Sequence, residues 1–151
     1  MARINYVELP SRNFVASKDF YKKAFNWSLT DFGPTYAATM TGDVDMDLQG
    51  HMPEATAAPL VVIDVDNLED AFAAVQKAGA TLTKTIFQFP GGRRFHFKDP
   101  SGNELSCLKL HLLTSYHVSA KGRLRIVEVV RVDRQILRRD AIAQGDGGRH
   151  A

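Results

Sequence analysis

The hydrophobic and polar positions of this chain follow one pattern used twice. INYVELP (4–10) is short, rich in β-formers and stopped by Pro10, which predicts a strand. Asn13 then opens a helical spacing, with Phe14, Lys18 (through its stem), Tyr21 and Phe25 on one stripe and Trp27 at its end. WSLTDF (27–32) and TYAATM (35–40) read as strands around the turn signal Gly33-Pro34. VDMDLQ (44–49) alternates apolar and polar residues as a half-buried strand does. After a linker-like stretch at 50–59 the pattern restarts. LVVIDV (60–65) predicts a strand, and Asp66 and Glu69 have capping-box spacing. Leu68, Phe72, Val75 and Ala78 make the stripe of a helix that ends at Gly79. Three more strands follow: TLTKTIF (81–87), RRFHFKD (93–99) and NELSCLKL (103–110), with turns at Pro90-Gly91-Gly92 and Asp99-Pro100-Ser101-Gly102.

Matching Glu8 to Asp64 superposes the two halves at a period of about 56 residues. The order in each is strand, helix, three strands. One amphipathic helix covers one face of each small sheet, so the remaining faces are expected to enclose a cup. The expected class is α+β: two tandem βαβββ modules, 1–52 and 58–111, forming a curved mixed sheet in one domain of residues 1–111.

Charge divides the chain differently. Residues 1–111 carry 11 Lys/Arg against 13 Asp/Glu, whereas residues 112–151 carry 8 against 4. The excess positive charge belongs to the last quarter, a basic extension expected to be partly helical or disordered. Residues 123–144 fit an amphipathic helix with Val129, Val132 and Ile136 on one stripe, or a strand followed by a helix. A lone cysteine, Cys107, excludes an intrachain disulfide framework and a cysteine-built metal centre. No run of about 18 apolar residues exists, so no membrane span is expected. The first ten residues read as a strand instead of a signal peptide, and the cytoplasm is the expected compartment.

The segments VELP (7–10), DFYKKAFNW (19–27), VDNLEDAFAAVQKAGA (65–80) and FPGGRRFHFKDPSGNEL (89–105) resemble the vicinal-oxygen-chelate superfamily, the glyoxalase/bleomycin-resistance/dioxygenase fold. The resemblance covers about residues 3–110. It implies paired βαβββ modules around a small-molecule site, and a homodimer. It does not fix an activity, because the family holds lyases, isomerases, dioxygenases, thiol transferases and metal-free drug-sequestering proteins. Its metal-dependent members draw His and Glu ligands from strands of both modules. Carried over one at a time, those positions fall on Tyr6, Leu60 and Ser106, with a fourth near Asp47. Leucine cannot ligate, so no metal cofactor is expected. A rearranged set of Glu8, His96 and Glu104 is the alternative.

Strand alternation puts Tyr6 with Glu8, Arg94 with His96, and Glu104 with Ser106, each pair on one face. These six, with Tyr36, are the expected ligand-binding residues. His96 is the candidate general acid or base, and Glu8 a second catalytic candidate. Arg94 suits an anion, or pairs with Glu104. Asp64 adds an acceptor, and Phe32, Tyr36 and Trp27 supply aromatic area, although Trp27 equally fits a core role. Phe95 and Phe97 point away from His96 and should pack under a helix. Cys107 reads as a small core residue. The expectation is a metal-independent protein holding a small organic ligand. A metal-dependent lyase or dioxygenase is the alternative, and an interaction protein using the basic extension is the second alternative. A nucleic-acid role is disfavoured, because no aromatic follows Tyr116 to stack on bases.

Overall fold

The computed structural model describes residues 1–41, 43–89, 91–118 and 124–131. Ten strands and two helices appear among them: β1 (Arg3–Pro10), α1 (Phe14–Phe25), β2 (Thr30–Asp31), β3 (Tyr36–Ala38), β4 (Asp45–Gln49), β5 (Leu60–Asp64), α2 (Leu68–Lys77), β6 (Thr81–Phe89), β7 (Gly92–Lys98), β8 (Glu104–Leu110), β9 (Leu112–Val118) and β10 (Leu124–Arg131).

β1 to β8 form one open mixed sheet in the order β2-β3-β4-β1-β5-β8-β7-β6. The repeat predicted from sequence is visible in that order. In each half the first strand pairs parallel with the fourth, β1 with β4 and β5 with β8, and the halves join where β1 runs antiparallel to β5. The modules therefore lie edge to edge about the β1–β5 seam.

Helix α1 starts where Asn13 accepts a hydrogen bond from Ala16 N at 3.2 Å, and it ends at Asn26 in the left-handed region. Helix α2 is capped by Asn67, whose side chain accepts from Asp70 N at 2.9 Å. This corrects the capping box read at Asp66 and Glu69: the cap lies one residue later, and Glu69 is bound to Arg93 at 2.5 Å.

The helices cover one face of the sheet. Under α2, Val65, Leu68, Phe95, Phe97 and Cys107 form a buried core against Ala71, Phe72 and Val75, with Phe72 edge-on to Phe95 at 5.1 Å. Phe95 and Phe97 thus pack as expected. Helix α1 sits more lightly. A Cβ added at Gly50 would lie 3.2 Å from Phe14, which places α1 on the face that also carries Leu48. Phe14, Lys18 and Tyr21 are half-buried there, but no α1 residue is fully buried and Phe25 is exposed. Trp27 is 40% exposed and stacks on Tyr21 at 5.6 Å, so it belongs to neither the core nor the cup.

β9 and β10 form a separate antiparallel pair. A strand therefore occupies 124–131, where one expectation ran a helix from 123. Residues 132–151, which hold the rest of the expected helical or disordered extension, lie outside the described residues.

Candidate functional site: a polar row across the uncovered face

Pairing register decides what faces away from the helices. Tyr6 stands beside Asp45 and Val62, Glu8 beside Asp47 and Leu60, and Asp47 beside Ala38. Val62 aligns with Ser106 and Ser106 with His96, while Arg94 aligns with Leu108. One face thus collects Tyr36, Asp47, Tyr6, Glu8, Ser106, Arg94 and His96 over a floor of Leu60, Val62 and Leu108. β1 and β7 are three strand spacings apart, about 14 Å across the sheet. The long side chains of Arg94 and Glu8 span that distance toward each other, with Arg94 Nη1 3.6 Å from Glu8 Oε2.

Two polar groups meet on this face. In the first, the Tyr36 hydroxyl lies 2.9 Å from Glu8 Oε2 and 2.5 Å from Asp47 Oδ2. Burial, then the neighbouring Tyr6, Asp47 and Glu8, hold the Tyr36 pKa well above its ordinary value, so the phenol keeps its proton. Arg94 closes the group. Burial opposes its charge, but Tyr6, Glu8 and Tyr36 outweigh burial and raise its pKa. Its guanidinium lies over the rings of Phe87 and Phe89, at 5.3 and 5.4 Å from their centroids.

The second group is built on His96. Its Nδ1 lies 3.4 Å from Glu104 Oε1, which also accepts from Thr83 Oγ1 at 2.8 Å. Burial, then the charges of Arg94 and Lys84, push the His96 pKa down to about 4 against the pull of Glu104. The ring is neutral at pH 7. A carboxylate partner only accepts, so the ring proton sits on Nδ1 and Nε2 offers a lone pair. His96 is 0% exposed and Arg94 is 9% exposed. His96 Nε2 and Arg94 Nε are nevertheless buried with no hydrogen-bond partner in the described structure. Buried polar atoms are rarely left so.

The structure brings together most of the residues expected in the cup, with corrections. Tyr6, Glu8, Tyr36, Arg94, His96 and Ser106 share the face. Ser106 is spent on structure, because its hydroxyl donates to Phe95 O at 3.0 Å. Glu104 does not pair with Arg94. Arg94 stands opposite Leu108, four residues along β8 from Glu104, so Glu104 meets His96 and Arg94 reaches Glu8 instead. Asp47, Phe87 and Phe89 complete the site; sequence reasoning reached Asp47 only as the position nearest a fourth metal ligand, and did not select Phe87 or Phe89. Simple alternation puts Phe87 and Lys84 on opposite faces. Register shifts between Leu82 and Lys84 and between Lys84 and Phe87 turn both toward β7's polar face. The adjacent apolar pair Ile86-Phe87 is the signal: Ile86 packs against the α2 core while Phe87 meets His96 at 5.7 Å.

The donor set does not suit the divalent metal that the resemblance associates with this fold. Of the four corresponding positions, Leu60 has no donor atom and Ser106 is committed to Phe95, leaving Tyr6 and Asp47. The rearranged set is not assembled either, because Glu8 turns to Arg94 and Tyr36 while His96 and Glu104 meet apart from it. Among the described residues no group of three or more His, Cys, Asp or Glu side chains stands where it could hold a metal ion.

Tandem βαβββ modules joined through their first strands, with a row of buried polar side chains on the face the helices leave uncovered, define the class. The chain belongs to the Glyoxalase/Bleomycin resistance protein/Dioxygenase superfamily, whose family model matches residues 3–106. No curated protein matches it. Solved structures do. It is similar to an NAD-dependent benzaldehyde dehydrogenase from Legionella pneumophila, with a TM-score of 0.60 and 19% identity over 71% of this chain and 99% of that one. It is similar to methylmalonyl-CoA epimerase from Mycobacterium tuberculosis, with a TM-score of 0.56 and 11% identity over 72% and 87%. It is also similar to a Mn(II)-bound glyoxalase from Novosphingobium aromaticivorans, with a TM-score of 0.52 and 20% identity over 72% and 40%. At these identities the likeness is one of fold. Among the described residues no helix is long and apolar enough to cross a membrane.

Proposed function

We propose that the cup binds a small organic ligand through its own side chains, without a divalent metal ion. The observation that carries this reading is the pair of unpartnered buried atoms, Arg94 Nε and His96 Nε2, two residues apart on β7. A buried polar atom left unsatisfied costs about 1–3 kcal/mol. A ligand that engages both atoms recovers that cost on binding. The homodimer and the cytoplasmic compartment expected from sequence belong to the same reading, and sedimentation velocity tests the first.

Elemental analysis of the purified protein, with calorimetric titration of zinc, manganese, iron(II) and nickel, tests the metal-free half. No stoichiometric metal and no heat of tight binding are expected; a site near one metal per chain overturns it. A thermal-shift screen of small organic compounds, repeated on Arg94→Lys and His96→Asn, tests the other half. Compounds that stabilise the wild type should lose their effect in both variants. Stabilisation that survives both moves the ligand elsewhere.

A second reading keeps a reaction in the same cup. The lone pair on His96 Nε2 suits it to take a proton from a bound ligand, with Glu8 close to Arg94 as the other titratable group. Turnover that falls with acid near the His96 pKa and vanishes in His96→Asn would establish it.

A further inference from the structure

We infer that the cup selects an uncharged ligand, one that accepts a hydrogen bond from Arg94 Nε and donates one to His96 Nε2, and that Glu8 is the residue that turns anions away. This rests on the ligand-binding reading above and adds the chemical class of the ligand. A buried arginine with an open fork ordinarily marks a carboxylate or phosphate site. Arg94 is not open in that sense. Glu8 Oε2 lies 3.6 Å from its Nη1, Tyr6 is hydrogen-bonded to it, and Asp47 stands behind Glu8 through the shared Tyr36 hydroxyl. The Glu8 carboxyl already faces this guanidinium where solvent screens poorly, since Glu8 is 2% exposed, and Asp47 stands behind it at the same exposure. An anionic ligand would enter beside them. Lys84, across from His96 on β6, is exposed and lies over Phe87, at 5.8 Å from its centroid.

What the row lacks is directional. One N–H of Arg94 and one lone pair of the neutral His96 ring have no partner, and the two residues root about 7 Å apart along β7. Phe87 lies against both side chains, at 5.3 Å from the guanidinium and 5.7 Å from the imidazole. A compact or flat molecule with a carbonyl oxygen at one end and a hydroxyl or N–H at the other satisfies this arrangement.

The test uses a pair of probes matched in shape and differing in charge, 4-hydroxybenzamide and 4-hydroxybenzoate. Both are titrated at pH 7 into the wild type and Glu8→Gln, with calorimetry for affinity and NMR shifts of the β7 amides for location. The amide should bind the wild type about tenfold or more tightly than the benzoate. In Glu8→Gln the benzoate should gain about tenfold while the amide changes much less. A wild type that binds the benzoate as well as the amide in the cup overturns the charge selection and leaves the ligand-binding reading standing. A preference unchanged in Glu8→Gln overturns the role of Glu8. Neither probe moving the β7 resonances overturns both readings. Should Glu8→Gln not fold, the wild-type ratio alone decides the charge selection.

Discussion

Mild acid should destabilise this fold through His96. The ring is buried, and Arg94 and Lys84 add repulsion to the cost of burial, so its pKa falls from 6.5 to about 4 in the folded protein. The unfolded chain therefore binds a proton that the folded chain refuses between these values. The sign follows from linkage. Stability is fully present above the unfolded pKa of about 6.5 and is lost as pH falls toward 4. The whole gap is worth about 3 kcal/mol, and about half of it, near 1.5 kcal/mol, is lost between pH 6.5 and pH 5. That upper window separates His96 from carboxyl groups with ordinary values, which titrate lower. His96→Asn keeps an amide nitrogen near the position of Nδ1 for Glu104 and removes the titration. Urea unfolding at pH 6.5 and pH 5, at constant ionic strength, should show the wild type losing about 1.5 kcal/mol more than the variant. A ring pKa at or above 6.5 by NMR, or equal losses in the two proteins, would refute the reasoning.

Other outcomes follow from the same geometry. Tyr36→Phe removes the one hydroxyl between Glu8 and Asp47 and should cost about 2–3 kcal/mol at pH 7, measured by denaturant unfolding. Because the folded Tyr36 pKa is raised, the wild type should also lose up to about 1.4 kcal/mol per pH unit above pH ~10, a slope that Tyr36→Phe should flatten. Gly92→Ala places a Cβ 2.2 Å from the Lys109 carbonyl oxygen, a methyl against rigid backbone, and should cost about 1–3 kcal/mol or block folding, read as a lowered Tm. Cys107 is buried, with its thiol pushed up to about 11, so a disulfide reagent should label it only as the chain unfolds. Rapid labelling of the native protein would place it outside the α2 core.

Most of the fold was legible because it is written in local terms. Period-two and period-3.6 patterns depend on near neighbours, and the repeat exposed them twice, which is why the element order and the α2 core emerged correctly. α1 shows the limit. Its apolar stripe at Phe14, Lys18, Tyr21 and Phe25 was real as a spacing, yet it leaves Phe25 exposed and Trp27 outside the cup, because a pattern does not state how closely a helix approaches its sheet.

The site was legible face by face and illegible across strands. Alternation within one strand correctly paired Tyr6 with Glu8 and Arg94 with His96, but who meets whom depends on register and side-chain reach across strands, which no single strand encodes. Arg94 was expected to pair with Glu104, on the neighbouring strand. The β7–β8 register slides Glu104 to His96, and the long side chain of Arg94 reaches over the seam to Glu8 on the other module. The same reason hid Phe87 and Phe89, because register shifts in β6 reverse the alternation before they face Arg94. The consequence is chemical. An Arg94–Glu104 pair would have left Glu8, Tyr36 and Asp47 without a cation and taken from His96 its carboxylate partner. The observed exchange pairs Arg94 with Glu8 and Glu104 with His96, and burial, then the charges of Arg94 and Lys84, keep the His96 ring neutral against the pull of Glu104. A cup that offers one N–H and one lone pair instead of a bare charge is therefore a product of how the two modules are joined.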